Sequence, residues 1–309
     1  MNAAAARTHV LIAAVLFGTT GTAQAIGPAL EPVAVGAARI VTGAALLIAV
    51  VLLGGGSRRV GAGARAVLLA GACVAVYQAT FFAALDETGV AVGTVVAIGS
   101  APAFAGLFAR LFAGEPLRGR WAAATALGCA GVCLLVLGGG GAGGEISTLG
   151  VGLALVSGAG YAGYAVASKR MLAAGGSPEA VMATVFGTGA LMLLPVFALV
   201  PAGGLLQPSG ALLALYLGAI PTALAYLLFA RGLDRIGAGE TATLTLAEPL
   251  TASILGVIAL GERPSVAAAA GGALVLSGLA ALALPLPARR GARSAPTGGA
   301  LATPAEARA

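Results

Sequence analysis

The chain has 309 residues, 59% of them hydrophobic and only 9% charged, with a net charge of +6 and a mean hydropathy of +1.00. A water-soluble domain carries about 25% charged residues, so this composition excludes a soluble globular protein and points to an integral membrane protein. The basic residues lie in short loops between apolar runs, the arrangement of membrane topology signals rather than of a nucleic-acid surface.

The first segment spans about His9 to Gly27. Arg7 before it and Ala23-Gln24-Ala25 near its end imitate a secretory signal peptide. Its polar centre, Gly18-Thr19-Thr20-Gly21-Thr22, argues against cleavage, so it reads as helix 1. Helix 2 opens at Glu31-Pro32, where a first-turn proline is tolerated, and runs to Leu53 before Gly54-Gly55-Gly56 breaks it. Helix 3 covers Arg65 to Leu85, and Asp86-Glu87-Thr88-Gly89 turns the chain. Helix 4 spans Val90 to Phe112 and helix 5 Trp121 to Leu137, completing a first unit over residues 1–137.

A glycine-rich link, 138–148, leads to a second unit at 149–286. Its expected helices are Leu149–Ser168, Pro178–Val200, Gly210–Ala230, Gly239–Leu260 and Ser265–Leu284. Each expected span of about 17–23 residues matches a hydrocarbon core of about 30 Å at 1.5 Å per residue. Residues 287–309 lack any apolar period and read as a disordered cytoplasmic tail.

The two units repeat each other. Pro102 precedes Gly114-Glu115 as Pro249 precedes Gly261-Glu262, with both pairs offset by 147 residues (249 − 102 and 262 − 115). Phe81, Leu85, Asp86 and Gly89 match Phe229, Leu233, Asp234 and Gly237 at an offset of 148 (229 − 81). A period of half the chain signals duplication of a five-helix module. With ten spans, 15 of the 17 basic residues fall on one side, Arg263 alone on the other and Arg39 within helix 2. The positive-inside rule then places both termini in the cytoplasm. Five spans per unit is odd, so the units are expected to be inverted relative to one another, as in many secondary transporters.

The paired modules, Gly114-Glu115-Pro116-Leu117 and Gly261-Glu262-Arg263-Pro264, with Ala38-Arg39 and Ala247-Glu248-Pro249-Leu250, resemble the EamA repeat of the drug/metabolite transporter superfamily. The resemblance covers roughly residues 9–285. It implies an all-α membrane protein of ten helices, two inverted five-helix repeats around a central cavity, usually exporting amino acids or related metabolites across the cell membrane.

Polar residues within spans are the candidates for contact with cargo. Glu248 lies about 13 Å from the cytoplasmic end of its helix, where a carboxylate costs about 2.5–3.5 kcal/mol on insertion scales and faces a cavity or a partner. It either meets a substrate ammonium or coupling proton, or is a structural group bonded to nearby hydroxyls. Arg39, about 9 Å from the external end of helix 2, either holds a substrate carboxylate or pairs with Glu248 or helix-end carbonyls; the sequence does not say whether helices 2 and 9 touch. Gln78, Tyr77, Gln24, Tyr161, Tyr164 and Tyr226 are lesser candidates, with Thr245 among several span threonines that more often bond their own backbone. Pro102 and Pro249 are expected to break their helices and free carbonyls. Glu115 and Glu262 read as caps or loop pairings, and Glu240 as a first-turn residue favoured by the helix dipole.

Cys73, Cys129 and Cys133 lie in apolar segments as packing residues. The chain has one His and lacks metal-site, phosphate-loop and nucleophile-elbow motifs. The expectation is therefore a transporter with no metal or cofactor and not an enzyme, its partners being a small-molecule substrate and the bilayer, with a homo-oligomer compatible. The rival readings are a membrane-embedded enzyme or lipid-handling protein, which would need acids or nucleophiles clustered at one depth, and a structural protein with no cargo cavity.

Overall fold

The computed structural model describes residues 2–137, 147–197, 199, 203–261 and 263–283. Most of the glycine-rich link, Glu262 and the tail from residue 287 lie outside the described residues. The described chain is all helical: α1 (Ala3–Ile26), α2 (Pro32–Leu53), α3 (Ala64–Ala113), α4 (Gly119–Leu137), α5 (Thr148–Ala173), α6 (Pro178–Phe197), α7 (Pro208–Gly218), α8 (Ala225–Leu233), α9 (Ala238–Leu244), α10 (Ala247–Leu260) and α11 (Val266–Ala283). Among the described residues, 9 helical segments are long and apolar enough to cross a membrane, and Val266–Leu282 is a shorter apolar tenth.

Three helices depart from the simple expectation. α3 keeps helical backbone through 50 residues, where a turn is expected at Asp86–Gly89. A straight helix of that length would reach about 75 Å, far beyond the bilayer. The chain instead doubles back: a Cβ built on Gly93 would lie 3.3 Å from the backbone nitrogen of Leu85, eight residues away. Its limbs, Ala64–Thr88 and Val92–Ala113, are the expected helices 3 and 4.

The expected helix 8 is interrupted by a wide π turn over Ala219–Leu224. The cause is Pro221, which has no N–H to give the carbonyl four residues earlier. That carbonyl, of Leu217, is taken by the Thr222 hydroxyl at 2.7 Å.

The expected helix 9 is split at Thr245-Leu246. Pro249 cannot serve the Thr245 carbonyl, and Glu248 N–H does so at 2.9 Å, tightening the turn. Pro102, by contrast, sits inside α3 without ending it. The two prolines therefore differ: a break accompanies Pro249 alone.

The glycines of the repeated module share one backbone role. Gly114 (φ 66°) and Gly261 (φ 69°) close α3 and α10 in the left-handed conformation, which glycine adopts without a Cβ penalty.

The most extensive helix contacts join residues before the glycine-rich link to residues after it: α3 with α5 and α6, α4 with α11, α2 with α6, and α1 with α8 and α10. The core therefore is the interface between these two parts. α1 is integral to it, with Ala6, Val10, Ala13 and Ala14 fully buried. In lipid, helices associate through close packing rather than hydrophobicity, so small residues line such contacts. At the α4–α11 crossing a Cβ on Gly131 would lie 2.6 Å from Val275 N and 2.7 Å from Gly271 O. Both are backbone atoms with no room to yield. Gly131→Ala is expected to cost about 1–3 kcal/mol, seen as a lower Tm of the detergent-purified protein. An unchanged Tm would show that the crossing is looser than these distances state.

Candidate functional site

A cavity of about 120 Å³ lies where α1, α2, both limbs of α3, α5, α8 and the break before α10 converge. Its wall contains Phe17, Arg39, Tyr77, Gln78, Phe81, Ala97, Ile98, Ala101, Ser157, Gly158, Tyr161, Tyr226, Thr245 and Glu248. Each supporting element has a local reason for its path. Gly18 lets α1 lie against α10, since a Cβ there would come 2.7 Å from the Glu248 carbonyl oxygen. The 245–246 break starts a new helix beside the cavity and puts Glu248 in its first turn, where the helix dipole favours a carboxylate.

The tyrosines form a connected frame. The hydroxyls of Tyr77 and Tyr226 are 3.3 Å apart, and the Tyr77 ring lies 6.1 Å from Tyr161 and 5.7 Å from Tyr164. Tyr161 OH points to Thr245 Oγ1 at a long 3.5 Å, while Thr245 donates to the Ala242 carbonyl. Ser157 donates to the Tyr77 carbonyl at 3.0 Å, fastening α5 to α3 at the cavity wall.

Arg39 and Glu248 share this cavity, but no ion pair within 4.0 Å joins them; the described ion pairs are Arg7–Glu240, Arg231–Glu179 and Arg235–Asp234. Arg39 lies beside Tyr77 and within electrostatic reach of Glu248, and its Nε is buried without a hydrogen-bond partner. Glu248 and the buried Gln78 line the cavity, and neither side chain hydrogen-bonds to a described residue. A cation, a carboxyl group and an amide thus face the cavity without bonding to one another.

Of the residues singled out from sequence, Glu248, Arg39, Gln78, Tyr77, Tyr161 and Tyr226 come together here. Tyr164 is fully buried one layer behind, with Phe186 at 5.8 Å and Phe229 at 6.3 Å between ring centres. Gln24 is half-buried near the end of α1 and outside the cavity wall. Sequence reasoning passed over Phe17 and Ser157. Ser157 was detectable as a hydroxyl four residues from Tyr161 and hence on its face of the helix.

The ends of the helices on the arginine-rich side are clasped. Arg7 on α1 meets Glu240 on α9 at 2.7 Å. Lys169 on α5 donates to the Leu233 and Asp234 carbonyls at 2.7 and 3.0 Å, capping α8. Glu115, from the first repeated module, accepts from Ala238 N–H at 3.1 Å and so caps α9. It is a structural cap, as its position at a span end suggests.

An all-helical, multi-pass protein with an internal cavity lined by Arg39, Gln78, Glu248 and three tyrosines has the architecture of a membrane transporter. The comparisons with known proteins narrow this. The model of the EamA-like transporter family matches residues 8–137 and again 148–284, and the chain belongs to that family. It is 43% identical over 275 residues to the "Uncharacterized transporter YwfM" of Bacillus subtilis (strain 168), covering 87% of this chain and 90% of that protein. An "Uncharacterized transporter" of Archaeoglobus fulgidus is 33% identical over 132 residues, 43% of this chain and 47% of that one. A solved crystal structure superposes with a TM-score of 0.76 at 27% identity, covering 89% of this chain and 95% of that one.

The Glu115 cap can be tested without touching the cavity. Glu115→Ala is expected to lower stability by about 1 kcal/mol, as loss of a helix N-cap does, read as a fall in Tm. A variant as stable as the parent would remove the cap from the account.

Proposed function

We propose that this transporter carries amino acids or similarly small amphipathic metabolites out of the cell, with the tyrosine-framed cavity as its substrate site. The observation that carries the reading is the shared cavity of Arg39 and Glu248 without a direct ion pair. A zwitterion fits both: its carboxylate takes the guanidinium in two parallel hydrogen bonds, and its ammonium takes the Glu248 carboxylate. Tyr77, Tyr161 and Tyr226 supply the apolar walls and hydroxyls for the remainder. A volume of about 120 Å³ is below the 300–1,000 Å³ of drug-sized pockets, which favours amino-acid-sized cargo. Glu248 also serves as a coupling site if it exchanges a proton during the cycle.

In this reading residues 1–137 and 149–286 are two inverted repeats that rock about the cavity, giving alternating access. The basic-residue bias puts both termini and the clasped helix ends in the cytoplasm, in the cell membrane. Export then requires the Arg7–Glu240, Lys169 and Glu115 contacts to open so that cargo enters from inside.

The test is transport by purified protein in liposomes, with a panel of radiolabelled amino acids and an imposed pH gradient. Glu248→Gln is expected to reduce transport by more than about tenfold, the size of losing one charge-assisted contact of about 1.5–3 kcal/mol. Arg39→Lys, which keeps the charge but loses the fork, is expected to weaken binding of carboxylate-bearing cargo. Parental transport by Glu248→Gln would take the carboxylate out of the mechanism, and a folded protein with no uptake across the panel would favour a different cargo class.

A further inference from the structure

A second, larger space lies apart from the polar cavity: a groove of about 510 Å³ between α2 and α6, lined by Val41, Ile48, Leu52, Leu191 and Leu194 among others, with Arg58 at one end. We propose that this groove binds an anionic phospholipid, its acyl chains along the groove and its phosphate on Arg58. Three observations point there.

The first is length. From Val41 to Leu52 the α2 wall runs eleven residues, about 16 Å by helix rise, which is one leaflet of a hydrocarbon core of about 30 Å. Several wall residues are also exposed in the protein alone: Ile48 is 41% accessible, Leu52 55% and Leu191 68%. In the membrane they face acyl chains.

The second is charge. Arg58 donates to the Leu52 carbonyl at 3.2 Å, which parks the guanidinium over the groove mouth with most of its five donors unused. No described carboxylate pairs with it. Glu179, the acid at the start of α6, is occupied by Arg231 at 2.8 Å. The mouth is also fixed: Ser177 Oγ donates to Ser57 O at 2.6 Å, and Ser177 N–H to Arg59 O at 2.8 Å, stitching the end of α2 to the start of α6. A basic pocket between spans at headgroup level is the arrangement that holds anionic lipid headgroups.

The third is a pair of hydroxyls. Thr184 and Thr188 line the groove on consecutive turns of α6, and neither hydroxyl bonds to a described residue. Thr241, Thr243, Thr245 and Thr251 all donate to their own helix carbonyls. Thr184 is about 9 Å from the start of α6 by helix rise, inside the apolar span Pro178–Pro195, so an ester carbonyl of a lipid drawn into the groove would supply the acceptor this hydroxyl lacks. A second copy of the chain fits less well, because a helix filling the groove would have to bring its own acid to Arg58.

The experiment is native mass spectrometry of the full chain in mild detergent, with phosphatidylglycerol or phosphatidylcholine of identical acyl chains, paired with thermal melting. Phosphatidylglycerol is expected to be retained about fivefold more than phosphatidylcholine, as one basic side chain at a lipid surface provides, and to raise Tm. Arg58→Ala should erase the preference and Arg58→Lys keep most of it. Gly187→Leu should lose the bound lipid, since a Cβ there sits 3.5 Å from Ile48 Cδ1 and a longer chain extends into the groove. If that variant does not fold, the Arg58 pair decides. Equal retention of the two lipids, an undiminished preference in Arg58→Ala, an equal rise in Tm with inorganic phosphate, or a dimer that buries the groove would each overturn the proposal.

Discussion

Every backbone carbonyl and amide in the hydrocarbon must find its partner within the protein, because no water is there to supply one. This constraint explains where the chain departs from plain helix. Pro221 deprives the Leu217 carbonyl of its usual donor, and the next residue, Thr222, donates its hydroxyl to it. Pro249 does the same to the Thr245 carbonyl, and Glu248 N–H takes it. Each irregularity is tolerated because its own sequence carries the repair, and each adjoins a residue of the cavity wall: Tyr226 lies just after the π turn, Glu248 just after the break. Irregular backbone at membrane depth survives where it is buried in protein or lines a cavity.

A second consequence concerns packing. Since lipid tails compete equally for apolar surface, the parts before and after the glycine-rich link adhere through close approach and a few polar fastenings. Ser157 to the Tyr77 carbonyl, Thr125 to Thr243 at 2.8 Å and Tyr216 to Thr19 at 3.0 Å all join one part to the other. The aromatic cluster around Tyr164, Phe186, Tyr226 and Phe229 fills the space behind the cavity with large rings. One side of the site is thereby backed by packed rings, and the 245–246 break supplies the other.

Much of this was legible in the sequence because it depends on spacing. The half-chain period foretold that Gly114 and Gly261 would do the same work, and both close a helix at positive φ. The intramembrane Glu248 and Arg39 stood out because charge in hydrocarbon needs a reason. Their meeting in one cavity could not be read, since it depends on how α2 lies relative to α10. Depth was the other missing coordinate. Gln24 is seven residues from Phe17 and so on nearly the same helix face, but about 10 Å farther along the axis, beyond the cavity. Tyr164 is three residues from Tyr161, rotated enough to enter the ring cluster. The break at Thr245-Leu246 falls four residues before Pro249, where the missing N–H is felt, but Pro102 lies inside unbroken helix: proline announces a disturbance, and the neighbours decide whether the helix breaks.

The unpaired charges and the clasped helix ends bear on one another through magnitudes. In the proposed mechanism, opening the arginine-rich side requires breaking the Arg7–Glu240 pair, whose side chains are each 23% exposed, and releasing two helix caps. Ion pairs of such accessibility contribute about 0.2–1 kcal/mol, and caps about 1 kcal/mol each, so the closure is worth a few kcal/mol at most. A carboxylate and a guanidinium held apart in the membrane each carry a cost of comparable size. A ligand moves a conformational equilibrium only by its differential affinity for the two states. Cargo that completes Arg39 and Glu248 in one state and leaves them exposed in the other has a free energy of the right order to shift it. Had the two residues formed a tight pair of their own, that energy would already be spent, and cargo would have to break the pair before it could bind.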